Sequence, residues 1–272
     1  MKSQRPHSER DDRSVRLKGA VVAITGASSG IGEATALAFA RHGARLELGA
    51  RRLEKLNSVA QRCRQAGSPE ANVRLLDVGQ RAQARAFIAA TLRDFERLDV
   101  LVNNAGVGWM GRAQQMPEEK VDELVATNFK GIVTTTQAAL PWMLERRRGV
   151  IINVASIAGF RATPYSAVYA ATKHAVVGFS HALRGELSGS GVKVCVVYPY
   201  VTSGTEFFEG MGGVVGPQHP AAWVANLIVR TARFPRRDAM VAPIRVAHFA
   251  EPVFGGLMDH AIGEVRRRSL RE

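Results

Sequence analysis

A chain of 272 residues with 46% hydrophobic and 22% charged residues has enough apolar material for a sizeable core, which excludes wholesale disorder. The formal net charge of +13 raises nucleic acid and anionic surfaces as partners, but the arginines are scattered and no aromatics interleave with them, so no nucleic-acid partner is expected. No stretch approaches the ~18 uninterrupted apolar residues of a membrane span, and Cys63 and Cys195 have neither metal-ligand nor redox-pair spacing; no transmembrane segment, no metal and a cytoplasmic location are expected.

Residues 1–16 are polar and of mixed charge, and read as a disordered tail. From residue 17 to 272 the pattern fits one domain. Short, nearly continuous apolar runs at 20–25, 45–49, 73–76, 100–102, 150–154 and 192–197 predict strands covered on both faces. Between them, helical spacing predicts helices over 33–42, 53–65, 81–95, 118–144 and 167–187. Strands and helices in alternation imply an α/β fold with a Rossmann-type, doubly wound parallel sheet of about seven strands, helices on both faces and right-handed crossovers. Beyond a substrate loop at about 200–218, a helix is predicted over 220–233 and a strand over 239–246. A C-terminal extension at about 247–272 would carry a last helix over 250–268.

The first strand runs into Thr25-Gly26-Ala27-Ser28-Ser29-Gly30-Ile31-Gly32 and then into an alanine-rich helix. Glycines there let the backbone turn tightly and approach a pyrophosphate, whose charge meets the free N–H groups of the helix N-terminus. Asn103-Asn104-Ala105-Gly106 follows the fourth strand, Asn128 falls inside the next helical stretch, Ser156 follows the fifth strand, and Tyr169-Ala170-Ala171-Thr172-Lys173 opens the fifth helical stretch.

Together these segments, covering about residues 18–205 in order, resemble the short-chain dehydrogenase/reductase family, in its shorter branch with T-G-x-x-x-G-I-G, N-N-A-G and Y-x-x-x-K. The resemblance implies an oxidoreductase that transfers a hydride between a nicotinamide dinucleotide and a carbonyl or secondary alcohol. It implies catalytic roles for Asn128, Ser156, Tyr169 and Lys173. It also implies cofactor contacts from Gly26, Ser28, Ser29, Gly30, Ile31, Gly32, Asp77, Val78, Asn104, Ala105, Gly106, Tyr169, Lys173, Pro199 and Thr202. Residues four apart share one helix face, so Tyr169 and Lys173 can act on one junction. A phenol ordinarily titrates near pKa ~10, and a neighbouring ammonium favours its anion, which suits Tyr169 as acid in reduction and base in oxidation. The resemblance gives Lys173 the nicotinamide ribose, Ser156 the substrate oxygen, and Asn128 a water that links Lys173 to solvent.

The second strand ends in Ala50-Arg51-Arg52, with no acidic residue where NAD-preferring relatives place one. Arg51 offers a planar fork of donors suited to a 2′-phosphate and Arg52 can assist, so NADP(H) is expected in preference to NAD(H). Asp77 is expected at the adenine, or as a cap for the following helix. The chain departs from its relatives after the sixth strand, where Tyr200 replaces the usual glycine of Pro-Gly and either Thr202 or Thr205 fills the threonine position. The segments after the fourth to sixth strands carry Trp109, Met110, Phe160, Tyr165, Tyr200, Phe207, Phe208 and Met211, and the stretch 210–216 is glycine-rich. They imply an apolar wall for an apolar or aromatic small-molecule carbonyl or alcohol, with a mobile lid. A homodimer or homotetramer through the helices at 118–144 and 167–187 is expected by analogy. An epimerase or dehydratase of the longer branch is disfavoured by the glycine spacing and the short C-terminal part. A non-catalytic nucleotide-sensing scaffold is disfavoured by the complete catalytic set.

Overall fold

The computed structural model describes residues 15–203 and 218–240. In chain order these form β1 (Val21–Thr25), α1 (Gly30–Arg41), β2 (Arg45–Ala50), α2 (Leu53–Gln65), β3 (Ala71–Leu75), α3 (Arg81–Phe95) and β4 (Val100–Asn103). Then follow α4 (Glu118–Val125), a π turn (Ala126–Lys130), α5 (Gly131–Glu145), β5 (Gly149–Val154), α6 (Ala167–Glu186) and β6 (Val192–Tyr198). The short strands β7 (Thr202–Ser203) and β8 (His219–Pro220), the helix α7 (Ala221–Arg233) and β9 (Asp238–Met240) complete the described residues. The tail at 1–14, the substrate-loop residues 204–217 with Thr205, Phe207, Phe208 and Met211, and the elements expected beyond 240 lie outside them.

Seven strands form one parallel sheet in the order β3-β2-β1-β4-β5-β6-β9. Side chains alternate across each strand. Val22, Ile24, Val100 and Val102 face a core shared with Phe39 of α1, Leu56 of α2 and Ile228 of α7, while Ala23, Leu101 and Ile151 face one shared with Phe87 of α3, Met143 of α5 and Leu183 of α6. With both faces covered, all five residues of β1 and all six of β5 are buried. The strand order reverses between β1 and β4, so the loops after their C-terminal ends diverge and leave a crevice where ligands bind in such sheets. At the start of the domain, the Val15 amide donates to the Arg233 carbonyl at 2.9 Å and Leu17 is buried, so the described chain is tied to the end of α7.

The expected unbroken helix over 118–144 is interrupted. The Gly131 amide donates to the Ala126 carbonyl, five residues back, and the resulting π turn separates α4 from α5. Apolar periodicity does not register one extra residue in a turn, whereas the Asn128 side chain, fully buried within it, gives the local reason described below.

Candidate functional site

The turn after β1 is braced from β4. The Thr25 hydroxyl accepts from the amides of Asn104 and Ala105, both at 3.0 Å, and Asn104 Nδ2 donates to the carbonyls of Thr25 and Gly26, both at 3.1 Å. Gly26 has φ +67°, and a Cβ there would lie 2.7 Å from Ala105 Cα. A Cβ on Gly32 would lie 2.1 Å from the Gly26 carbonyl oxygen. These positions tolerate glycine because the turn folds onto the start of α1. Ser29 at the N-cap makes no side-chain bond to the helix, which leaves the first amides of α1 open to an anion. A pyrophosphate fits this open cradle, and the Asn104 side chain, committed to the turn, shapes it from behind.

At the end of β2, Arg52 Nη2 donates to Ser29 Oγ at 2.7 Å and approaches Ser28 Oγ at 3.5 Å. Arg51 is exposed and its Nη1 lies 3.6 Å from Glu123 Oε1 on α4. Arg52 is therefore the residue that leans over the glycine-rich turn, and Arg51 faces the other wall. Asp77 does not cap α3, whose N-cap is Gln80; its Oδ1 accepts from the Gly79 amide at 2.9 Å and its own amide donates to Gln83 Oε1 at 2.9 Å. Val78 is buried against Gly131, at the junction of the π turn and α5.

At the other end, Ser156 leaves β5 and its Oγ accepts from the Ala158 amide at 3.1 Å. It is also hydrogen-bonded to Tyr169, on the first turns of α6. Burial pushes the Tyr169 phenol up to about 12, against the lowering effect of Ser156. One turn on, Lys173 is buried, its Nζ donating to the Val154 carbonyl at 3.0 Å and lying 5.7 Å from the centre of the Tyr169 ring. Burial brings the Lys173 ammonium down to about 8, so it carries its charge below that pH and loses it above. Asn128 reaches the same place from the π turn: its Oδ1 accepts from the Val107 amide at 2.8 Å, and its Nδ2 donates to the Val107 carbonyl at 2.9 Å and to Thr172 Oγ1 at 3.2 Å. A Cβ on Gly106 would lie 3.3 Å from Asn128 Oδ1 and 3.7 Å from Lys173 Nζ. Asn128 and Lys173 thus meet at the loop after β4, and Lys173 stands beside Tyr169, which is bonded to Ser156.

Pro199 is buried and its carbonyl accepts from the Ile157 amide at 3.0 Å, joining the loops after β5 and β6. Thr202 is buried with its hydroxyl donating to the Tyr200 carbonyl at 2.9 Å. Among the expected apolar residues, Phe160 stacks on Tyr198 at 4.1 Å and belongs to the packing beneath the site, whereas the Tyr165 carbonyl accepts from the Gly111 amide at 2.8 Å and draws the loop bearing Trp109 and Met110 toward α6.

Sequence reasoning missed the buried network behind the site. Asn103 Nδ2 donates to Asn153 Oδ1 at 2.9 Å, Thr135 Oγ1 donates to Asn103 Oδ1 at 2.7 Å, and Asn153 Nδ2 donates to Ser180 Oγ at 2.9 Å. It ties α5 and α6 to neighbouring strands. The signal was present in the asparagines that end or interrupt the apolar runs of β4 and β5, because a buried amide needs partners.

The short chain dehydrogenase family profile matches residues 20–212. An "11-beta-hydroxysteroid dehydrogenase-like 4A" of Arabidopsis thaliana is 44% identical over 187 residues, covering 68% of this chain and 62% of its own length. Among solved structures, an alcohol dehydrogenase from the archaeon Thermococcus sibiricus complexed with 5-hydroxy-NADP is similar with a TM-score of 0.74 and 28% identity, over 82% of this chain and 96% of that one. A metagenomic short-chain oxidoreductase in complex with NADP has a TM-score of 0.72 and 33% identity, over 84% of this chain and 97% of that one.

Proposed function

Because this chain belongs to the short-chain dehydrogenase family of oxidoreductases, we propose that it interconverts a carbonyl and a secondary alcohol with NADP(H), using Tyr169 as the acid and base. The observation that carries the reading is the cluster in which Ser156 is hydrogen-bonded to Tyr169, Tyr169 stands beside Lys173, and Lys173 lies near Gly106. When bound, the nicotinamide supplies or accepts the hydride. Ser156 orients the substrate oxygen toward the Tyr169 hydroxyl, and Tyr169 delivers the proton to that oxygen in reduction and removes it in oxidation. Lys173, charged below about pH 8, lowers the cost of the phenolate and binds the ribose hydroxyls. The Asn128 side chain, bonded to Val107 and Thr172, holds the loop after β4 in place beside Lys173.

Gly26, Ser28, Ser29, Gly30, Ile31 and Gly32 would hold the pyrophosphate, with Asp77 and Val78 at the adenine and Arg51 with Arg52 at the 2′-phosphate. Support for NADP(H) comes from the two arginines, from Ala50 in place of an acid, and from the 5-hydroxy-NADP and NADP bound in the two similar structures. Trp109, Met110, Tyr165 and Tyr200 on the loops around the site favour an apolar or aromatic ketone, in keeping with the steroid dehydrogenase-like relative. The outer face of α6, where Gly178 and Gly185 meet open space, and Leu144 of α5, 39% exposed, favour a homodimer or homotetramer; a monomeric mass by light scattering at micromolar concentration would remove that part. NADPH consumption over apolar ketones, acyl thioesters, sugars and hydroxy acids tests the substrate class. The highest kcat/KM is expected with apolar or aromatic ketones, and a maximum with sugars or anionic compounds would overturn it.

A further inference from the structure

Arg51 meets a carboxylate before it meets any phosphate. Glu123, whose Oε1 lies 3.6 Å from Arg51 Nη1, is also bound by Lys120 Nζ at 2.7 Å, and these cations, Lys120 foremost, hold its carboxyl below the usual range. Its position follows from backbone packing. The π turn that continues α4 places Ala126 and Thr127 3.5 and 3.6 Å from where a Gly79 Cβ would lie, and α5 begins against Val78, so α4 stands as a wall beside the loops after β2 and β3.

We propose that Glu123 is a specificity-determining residue that opposes 2′-phosphorylated dinucleotides: its carboxylate engages Arg51 in a pair that the adenosine 2′-phosphate has to displace. The inference rests on the assignment of Arg51 to that phosphate. At 3.6 Å the contact is charge against charge and not an aimed hydrogen bond, so it does little to orient the guanidinium fork. A phosphate dianion gains charge-assisted bonds from Arg51 only by giving up the Arg51–Glu123 pair, and it is repelled by the Glu123 carboxylate as well, so both effects of Glu123 weaken its binding. Arg52 donates to Ser29 and approaches Ser28, and the competition concerns Arg51 alone. The chain thereby carries a residue whose charge tunes how strongly NADP(H) is preferred, without contact with the reacting atoms.

Calorimetric titration of the full chain with 2′,5′-ADP and with 5′-AMP, for the wild type, Glu123→Gln, Arg51→Ala and the double variant, tests it. Glu123→Gln should tighten 2′,5′-ADP about two- to fivefold, the scale of one exposed ion pair, and leave 5′-AMP unchanged. In the Arg51→Ala background the same change should tighten 2′,5′-ADP less, because only the direct repulsion is then relieved. No effect of Glu123→Gln, a weakening, or equal tightening with and without Arg51 would overturn the inference while the Arg51 assignment stands. If Arg51→Ala by itself leaves 2′,5′-ADP binding unchanged, the assignment falls and the inference falls with it.

Discussion

Arg51 and Arg52, at the end of β2, are exposed and meet their partners at the surface, whereas Asn103, Asn153, Ser180 and Lys173, on β4, β5 and α6, are removed from water. Charge pairs along the first region, such as Arg45 with Glu70 and Arg62 with Glu33, are likewise partly exposed. In the second region the polar groups are neutral amides and hydroxyls that satisfy one another, around one lysine whose ammonium donates to a backbone carbonyl. The difference separates two tasks. On the proposed reading, cofactor discrimination would sit where each interaction is weak, screened and adjustable by a single surface charge. Acid–base chemistry would sit where burial shifts proton affinities and where removing one partner strands another.

The strongest test of that division is Tyr169→Phe. It should lower kcat by at least ~100-fold, the scale of a lost general acid, while NADPH affinity by fluorescence titration stays within about twofold. Unchanged turnover would dissolve the assignment of chemistry to the buried region. Next in size, Asn153→Ala strips one partner from both Asn103 and Ser180 and should cost about 1–3 kcal/mol of unfolding free energy, equally at low and high salt, in urea titrations. A cost that vanished in salt would blur the contrast between the regions.

Arg51→Ala should weaken NADPH binding by about tenfold and leave NADH binding alone, with a deficit that shrinks as ionic strength rises. Equal kcat/KM for both cofactors in the wild type would refute the preference. A further test concerns Glu47, a fully buried carboxyl on the buried strand β2. Its Oε1 accepts from Arg74 Nε at 2.8 Å, and its Oε2 has no hydrogen-bond partner among the described residues. Arg74, which also pairs with Asp94, is held in its charged form by Glu47, so the pair pulls in two directions; with one oxygen unsatisfied, burial wins and pushes Glu47 up to about 7. A carboxyl raised above its unfolded value favours the folded state most at low pH, so its contribution should decline between pH 4.5 and about 7. Thermal melts across that window should show a shallow fall in Tm that Glu47→Gln flattens. An identical slope in both proteins would locate the pH dependence elsewhere.

The alternation of apolar runs and helical stretches made the sheet legible in the sequence, because strands covered on both faces cannot hide their composition. The candidate site could be read through the resemblance of the segments bearing Gly26, Ser156, Tyr169 and Lys173 to a family's motifs, and the structure places Ser156, Tyr169 and Lys173 in one cluster. The π turn was not legible, since Asn128 is held in place through the backbone of Val107, and backbone groups leave no mark in a sequence. The same holds for the Val154 carbonyl beneath Lys173. Arg51 and Arg52 could be read as a pair, but their division between Glu123 and Ser29 depends on which way two adjacent side chains leave one turn.

The short strands β7 and β8 pair Thr202 with His219 and Ser203 with Pro220, and the His219 amide donates to the Val201 carbonyl at 2.9 Å. Ser203 and His219 are therefore held close together whatever sequence joins them. Doubling the length of a joining loop costs only about 0.6 kcal/mol of closure entropy. The bridge between the end of β6 and the start of α7 should thus survive replacement of residues 204–217 by a longer sequence.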